Sequence, residues 1–134
     1  MQHLLMLKIE SCTNQINCIE SYVKKLENAV TLTREVHDNI LITLTEAVNN
    51  AIIHGNKEDK SKFVNIICEE KGNDLIFRIS DEGLGFNPNN VADPTLPENL
   101  ECCGGRGVYI MKQLSDKIAF LDNGRTVEMH FKTH

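Results

Sequence analysis

Apolar and polar positions along the chain change period several times, and each change marks an element. Residues 4–10 (Leu-Leu-Met-Leu-Lys-Ile-Glu) read as a first strand. From Thr13 or Asn14 to about Leu26, Ile16, Ile19, Tyr22, Val23 and Leu26 recur at the three- and four-residue spacing of an amphipathic helix. A longer helix is predicted from about Thr33 to Ile53, with Thr31 or Thr33 as N-cap, Glu35 in the first turn and Gly55 as the stop. Lys57-Glu58-Asp59-Lys60 is a charged loop.

Residues 62–70 and 74–80 are rich in β-formers, and Lys71-Gly72-Asn73 between them signals a hairpin. A long stretch without period follows. Periodicity resumes at residues 105–115, which read as a helix. Residues 118–121 and 126–131 then form a second hairpin around Asp122-Asn123-Gly124-Arg125. Helices early and hairpins later predict an α+β sandwich with helices on one sheet face, not a doubly wound parallel sheet.

Length and composition narrow the function classes. A chain of 134 residues fits one domain. Its 41% apolar and 25% charged residues are those of an ordinary soluble globular protein. Nineteen acidic against fourteen basic side chains give a net charge of −5, which argues against nucleic acid or an anionic membrane as the main partner. The first eight residues lack the basic region and small-residue cleavage site of a signal peptide, and no apolar run approaches the ~20 residues needed to span a bilayer. Five cysteines without a CxxC pair fit a reduced compartment, so a cytoplasmic location is expected. The five histidines form no HxxxH or HExxH pair, so no structural metal site is expected.

Three segments carry candidate chemistry. On the long helix, Ile40, Leu44, Ala47, Val48 and Ala51 form an apolar stripe, while Glu46, Asn50 and His54 form a polar line at four-residue spacing. Glu46 and Asn50 would present a carboxylate and an amide about 6 Å apart, able to share a hydrated Mg²⁺. A solvated helix face is the plainer alternative, though two consecutive Asn residues inside an apolar helix are poor helix formers. The second segment, Asp81-Glu82-Gly83-Leu84-Gly85, follows a strand directly. A carboxylate fixed there could accept the exocyclic amine of a purine; an ordinary turn is the alternative. The third, Gly104-Gly105-Arg106-Gly107, opens a helix whose backbone N–H groups suit phosphates, or else forms a hinge with close helix packing. Between the last two, residues 85–104 hold all three prolines, Pro88, Pro94 and Pro97. That stretch looks like a lid over a ligand.

In this order, Glu46-x-x-x-Asn50, Asp81-x-Gly83-x-Gly85 and Gly105-x-Gly107 resemble the N, G1 and G2 boxes of the GHKL (histidine kinase-like) ATPase superfamily. The wording Thr45-Glu-Ala-Val-Asn-Asn-Ala-Ile-Ile-His-Gly55 is most similar to its anti-sigma-factor serine/threonine kinases. The resemblance covers essentially the whole chain, residues 1–134, as a single domain with an ATP lid at about 85–104. It implies a two-layer α/β sandwich with a mixed, mostly antiparallel sheet and about three helices on one face. It also implies ATP and Mg²⁺ as cofactors, and partners that are a sigma factor and a STAS-like anti-anti-sigma protein, in a possible homodimer regulating transcription.

Carried over, the resemblance gives Asn50 the Mg²⁺ bridging the phosphates and Glu46 the general base toward a substrate serine or water. Asp81 would accept the adenine amine. Gly83 and Gly85 would let the lid open, and Gly104, Gly105, Arg106 and Gly107 would lie against the phosphates. His54 and Gly55 match the family wording, with a packing or supporting role for His54. Kinases of the sporulation type carry an acidic–basic pair just before the G2 glycines. Cys102 and Cys103 stand there in this chain, and Arg106 is the nearest arginine. Two functions follow: an ATP-dependent anti-sigma factor that phosphorylates its anti-anti-sigma partner, or a nucleotide-gated binding module with little or no catalysis. His37-Asp38 superficially resembles a histidine-kinase phosphoacceptor, but no proline follows it.

Overall fold

The computed structural model describes residues 2–11, 16–83 and 105–133. The expected lid, with Gly85, Gly104, Cys102, Cys103 and the three prolines, lies outside the described residues. The elements run β1 (Gln2–Glu10), α1 (Ile16–Glu27), α2 (Arg34–Asn50), a π-helical turn (Ala51–Gly55), β2 (Phe63–Lys71), β3 (Asp74–Ser80), α3 (Gly105–Leu114), β4 (Lys117–Leu121) and β5 (Thr126–Lys132). Strand order is β1-β2-β3-β5-β4. All four pairings are antiparallel, which narrows the expected mixed sheet to a purely antiparallel one among the described strands.

Alternation along the strands produces the two layers. Ile9, Val64, Ile66, Cys68, Leu75, Phe77, Ile79, Val127, Met129 and Phe131 point to one face, and all are buried. They join Ile19, Tyr22, Val23 and Leu26 of α1, Ile40, Leu44, Ala47 and Val48 of α2, and Val108 and Met111 of α3 in a single core. The stripe Ile40, Leu44, Ala47, Val48 and Ala51 is therefore the core face of the long helix, as its period predicted. Phe77 and Phe131 meet edge to face at 5.8 Å in the middle of the sheet. Burial pushes the Cys68 thiol up to about 12, with Glu70 and Glu69 adding to it, so it stays protonated and unreactive.

The opposite sheet face mixes apolar side chains such as Met6, Ile67 and Ile76 with an ionic row. Arg78 on β3 bridges Glu69 on β2, at 3.0 Å, and Glu128 on β5, at 2.7 Å. His130 in turn contacts Glu128 at 2.9 Å.

Local chemistry accounts for the ends of the elements. Thr33 is extended at φ −69 and its hydroxyl accepts the Val36 N–H, capping α2. Gly72, at φ 61, supplies the left-handed residue that the two-residue β2–β3 loop requires. At the β4–β5 turn Asp122 (φ 52), Asn123 (φ 56) and Gly124 (φ 85) are all left-handed, residue types that tolerate this conformation.

The long helix departs from its sequence expectation at its C-terminal end. A regular α-helix to Ile53 was expected. Regular geometry stops at Asn50, and Ala51–Gly55 widens into a π turn closed by the Asn56 N–H donating to the Ala51 carbonyl at 2.7 Å. The extra residue in that turn breaks the four-residue phase joining Asn50 to His54. No helix among the described residues is long and apolar enough to cross a membrane.

Candidate functional site

Glu46 and Asn50 are both half-buried on the last turns of α2. The third turn-forming segment reaches them through Gly107, buried in the first turn of α3. A methyl group at Gly107 would lie 2.9 Å from Asn50 Nδ2, 3.1 Å from Asn50 Oδ1 and 3.1 Å from Glu46 Oε2. Glycine is what lets the opening of α3 touch this carboxylate–amide pair, and α2 and α3 pack directly on one another. The first backbone N–H groups of a helix, which have no partner within the helix itself, thus lie beside a carboxylate and an amide, a setting that can bind an anion and a hard cation together.

A second cluster forms one helical step further along. Asp81 follows the last residue of β3, and its carboxylate sits against the Cα of Gly55, where any side chain on Gly55 would overlap it. Gly83 packs on the Gly55 carbonyl, again with no room for a side chain. The Gly83 N–H donates to Asp81 Oδ1 at 2.8 Å, fixing the carboxylate in a tight turn. Burial is the main influence on Asp81 and raises its pKa. The Gly83 N–H and Arg125 pull it back down, and Asp122 pushes it up.

Two residues of this cluster carried no functional signal in the sequence. Asn56, the residue after the helix stop, is completely buried. Its Nδ2 donates to Ser11 Oγ at 2.8 Å and to the Phe63 carbonyl at 3.0 Å, while its Oδ1 accepts the Glu82 N–H at 2.7 Å. The Glu82 carboxylate closes the ring by accepting the Phe63 N–H. Arg125, read only as part of a hairpin turn, donates from Nε to the Gly83 carbonyl at 2.8 Å, and its own carbonyl accepts the Asp81 N–H at 2.9 Å. A lone Asn after a glycine and a lone Arg in a turn look like any solvated loop residue until the fold brings together positions 26 and 42 apart in the chain.

Gly105 begins α3, Arg106 is exposed on that helix, and Gly85 and Gly104 fall outside the described residues. His54 is exposed on the π turn, so it does not pack into the core. Partial desolvation, with Lys57 nearby, holds its pKa below the ordinary imidazole value. His37 lies between Asp38 at 3.0 Å and Glu27 at 3.5 Å, at the other end of α2.

Known proteins resemble the chain along most of its length. Residues 9–131 match the family described as the histidine kinase-like ATPase domain. The anti-sigma F factor of Clostridium acetobutylicum is 35% identical over 89 residues, covering 64% of this chain and 61% of that protein. The serine-protein kinase RsbW of Bacillus licheniformis is 30% identical over 105 residues, covering 69% and 62% respectively. The matched segments span about six-tenths of these relatives' own lengths. With a match that runs from the first strand to the last, across both residue clusters, the chain belongs to the histidine kinase-like ATPase domain family.

Proposed function

We propose that the chain is one nucleotide-binding domain that binds ATP as an anti-sigma factor. It would act as a serine/threonine protein kinase on an anti-anti-sigma partner. The observation carrying this reading is the contact of Gly107 with Glu46 and Asn50, which sets the start of α3 against a carboxylate–amide pair. Names borne by the two relatives, an anti-sigma F factor and a serine-protein kinase, support the class of activity.

The donor set suits Mg²⁺. Asn50 offers an amide oxygen and Glu46 a carboxylate, and the hard cation prefers such oxygens. Among the described residues no group of three His, Cys, Asp or Glu could hold a metal ion, so water and phosphate oxygens would complete its shell. When bound, the ion neutralises phosphate charge as it shifts during transfer.

The chain's own residues would divide the remaining work. Backbone N–H groups at the start of α3, with Gly104, Gly105 and Gly107 keeping side chains away, would hold the phosphates. Arg106 would add positive charge at the same end. Asp81 would accept the adenine amine, with residues 85–104 closing over the nucleotide. Glu46 would hold the proton released by the attacking serine hydroxyl as the phosphoryl group moves to that oxygen and the nucleoside diphosphate leaves. Most of the rate in such a reaction comes from positioning and charge stabilisation, which two preformed clusters side by side at the C-terminal end of α2 can provide.

Saturable binding of an ATP analogue in the presence of Mg²⁺ is the primary test, and its absence would overturn the nucleotide reading. Labelled ATP supplied with a serine-bearing anti-anti-sigma protein should then yield phosphoprotein, and Glu46→Ala should abolish transfer while ATP still binds. Cys102 and Cys103, in the place of an acidic–basic pair, favour a second reading as a nucleotide-gated partner-binding module. ATP-dependent capture of a sigma factor without phosphate transfer would establish that one instead.

A further inference from the structure

The turn Asp81-Glu82-Gly83 contains a glycine and stands at the end of a strand, where backbone ordinarily moves most easily. Here every one of its N–H groups is spoken for. Asp81 N–H goes to the Arg125 carbonyl, Glu82 N–H to Asn56 Oδ1 and Gly83 N–H to Asp81 Oδ1. The Gly83 carbonyl is taken by Arg125 Nε. Two residues from distant parts of the chain therefore account for three of its four backbone ties.

We propose that Asn56 and Arg125 are positioning residues for purine recognition, clamping the Asp81–Gly83 turn so that the Asp81 carboxylate meets the exocyclic amine of adenine. This rests on the reading of Asp81 as the adenine acceptor. Asn56 is more than a buried cross-link between strands. Its two N–H donors are committed to Ser11 and Phe63, which forces its single oxygen toward Glu82. Arg125 holds both ends of the turn at once, its carbonyl on Asp81 and its guanidinium on Gly83, while Asp122 Oδ1 at 3.2 Å braces the same guanidinium. A hydrogen bond that reads one amine tolerates only about 0.5 Å of misplacement, so loosening either tie should degrade the reading of that amine before it degrades phosphate binding.

The test compares ATP with purine riboside triphosphate, which differs only in lacking the 6-amine, by equilibrium titration in Mg²⁺. Wild type should prefer ATP by about tenfold or more, the value of a hydrogen bond to a charged acceptor. In Asn56→Ala and Arg125→Lys that preference should fall below about threefold, with affinity for purine riboside triphosphate nearly unchanged. Arg125→Lys keeps the charge and replaces a partly exposed side chain, so it decides the matter if Asn56→Ala does not fold. Folded variants that retain the full preference, or that weaken both ligands equally, would overturn the clamp and leave only a structural role. Indifference of the wild type to the amine would instead overturn the assignment of Asp81, and the clamp with it.

Discussion

The carbonyl of Gly55, the last residue of the π turn, occupies the space that a side chain on Gly83 would need. Two segments 28 residues apart thus meet backbone to backbone, and this contact brings the helix stop and the strand-end turn into one cluster. The contact at Gly107 is of another kind, because there the neighbours are side-chain ends of Asn50 and Glu46.

That difference separates two otherwise similar substitutions. Gly83→Ala drives a methyl group into backbone and should lower the melting temperature sharply or prevent folding, at a cost of about 2 kcal/mol or more. Gly107→Ala meets side-chain atoms that can rotate away. It should fold normally yet lose about tenfold or more in ATP affinity or phosphate transfer, because the pair has been displaced. Thermal melts paired with nucleotide titration check both, and normal stability in Gly83→Ala would refute the close contact.

Asp81 predicts a trade between stability and binding. Its pKa is raised chiefly by burial, so its contribution is favourable only when protonated and is lost as pH rises through the folded pKa. At neutral pH the ionised carboxylate costs stability that Asp81→Asn avoids. The variant without nucleotide should therefore melt no lower than wild type at pH 7, gaining up to about 1 kcal/mol. That gap should close below about pH 4, where the wild-type carboxyl is neutral. Nucleotide affinity should fall in the same variant. A melting temperature well below wild type at pH 7 would contradict the assignment.

The ionic row on the outer sheet face carries the opposite sign. Glu128 is held below the ordinary carboxylate range by its hydrogen bond to His130 and by Arg78, while burial opposes them. Stability from such a depressed group is present above its unfolded pKa and disappears as pH falls through the folded one. Glu128→Gln should cost about 1 kcal/mol at pH 7, leaving Arg78 with Glu69 alone, and progressively less below about pH 4. Urea titrations at several pH values measure this directly, and a pH-independent difference would exclude the ionic origin.

Tyr22 ties the first helix to the edge strand. Its hydroxyl donates to the Leu5 carbonyl at 3.1 Å from an otherwise buried ring. Tyr22→Phe keeps the packing and removes that donor, so it should destabilise by about 1 kcal/mol. Amide exchange in β1 should quicken more than in β3, and uniform acceleration across the sheet would show that the bond does not anchor the edge locally.

By itself the sequence determined the elements and the core, because both follow from local periodicity. Ile40, Leu44, Ala47 and Val48 had to share a helix face, and the alternation in 62–70 and 74–80 had to send one set of side chains inward. Turn glycines and the Thr33 cap marked the boundaries, and three separated motifs indicated a nucleotide. Two features were decided only by tertiary structure. The π turn at Ala51–Gly55 takes His54 out of phase with Asn50, something a fixed helical period cannot express. The roles of Asn56 and Arg125 exist only where they meet Glu82 and Gly83, since hydrogen bonds across 26 and 42 residues have no local signature. Periodicity records which way a residue faces; only packing decides what stands opposite it.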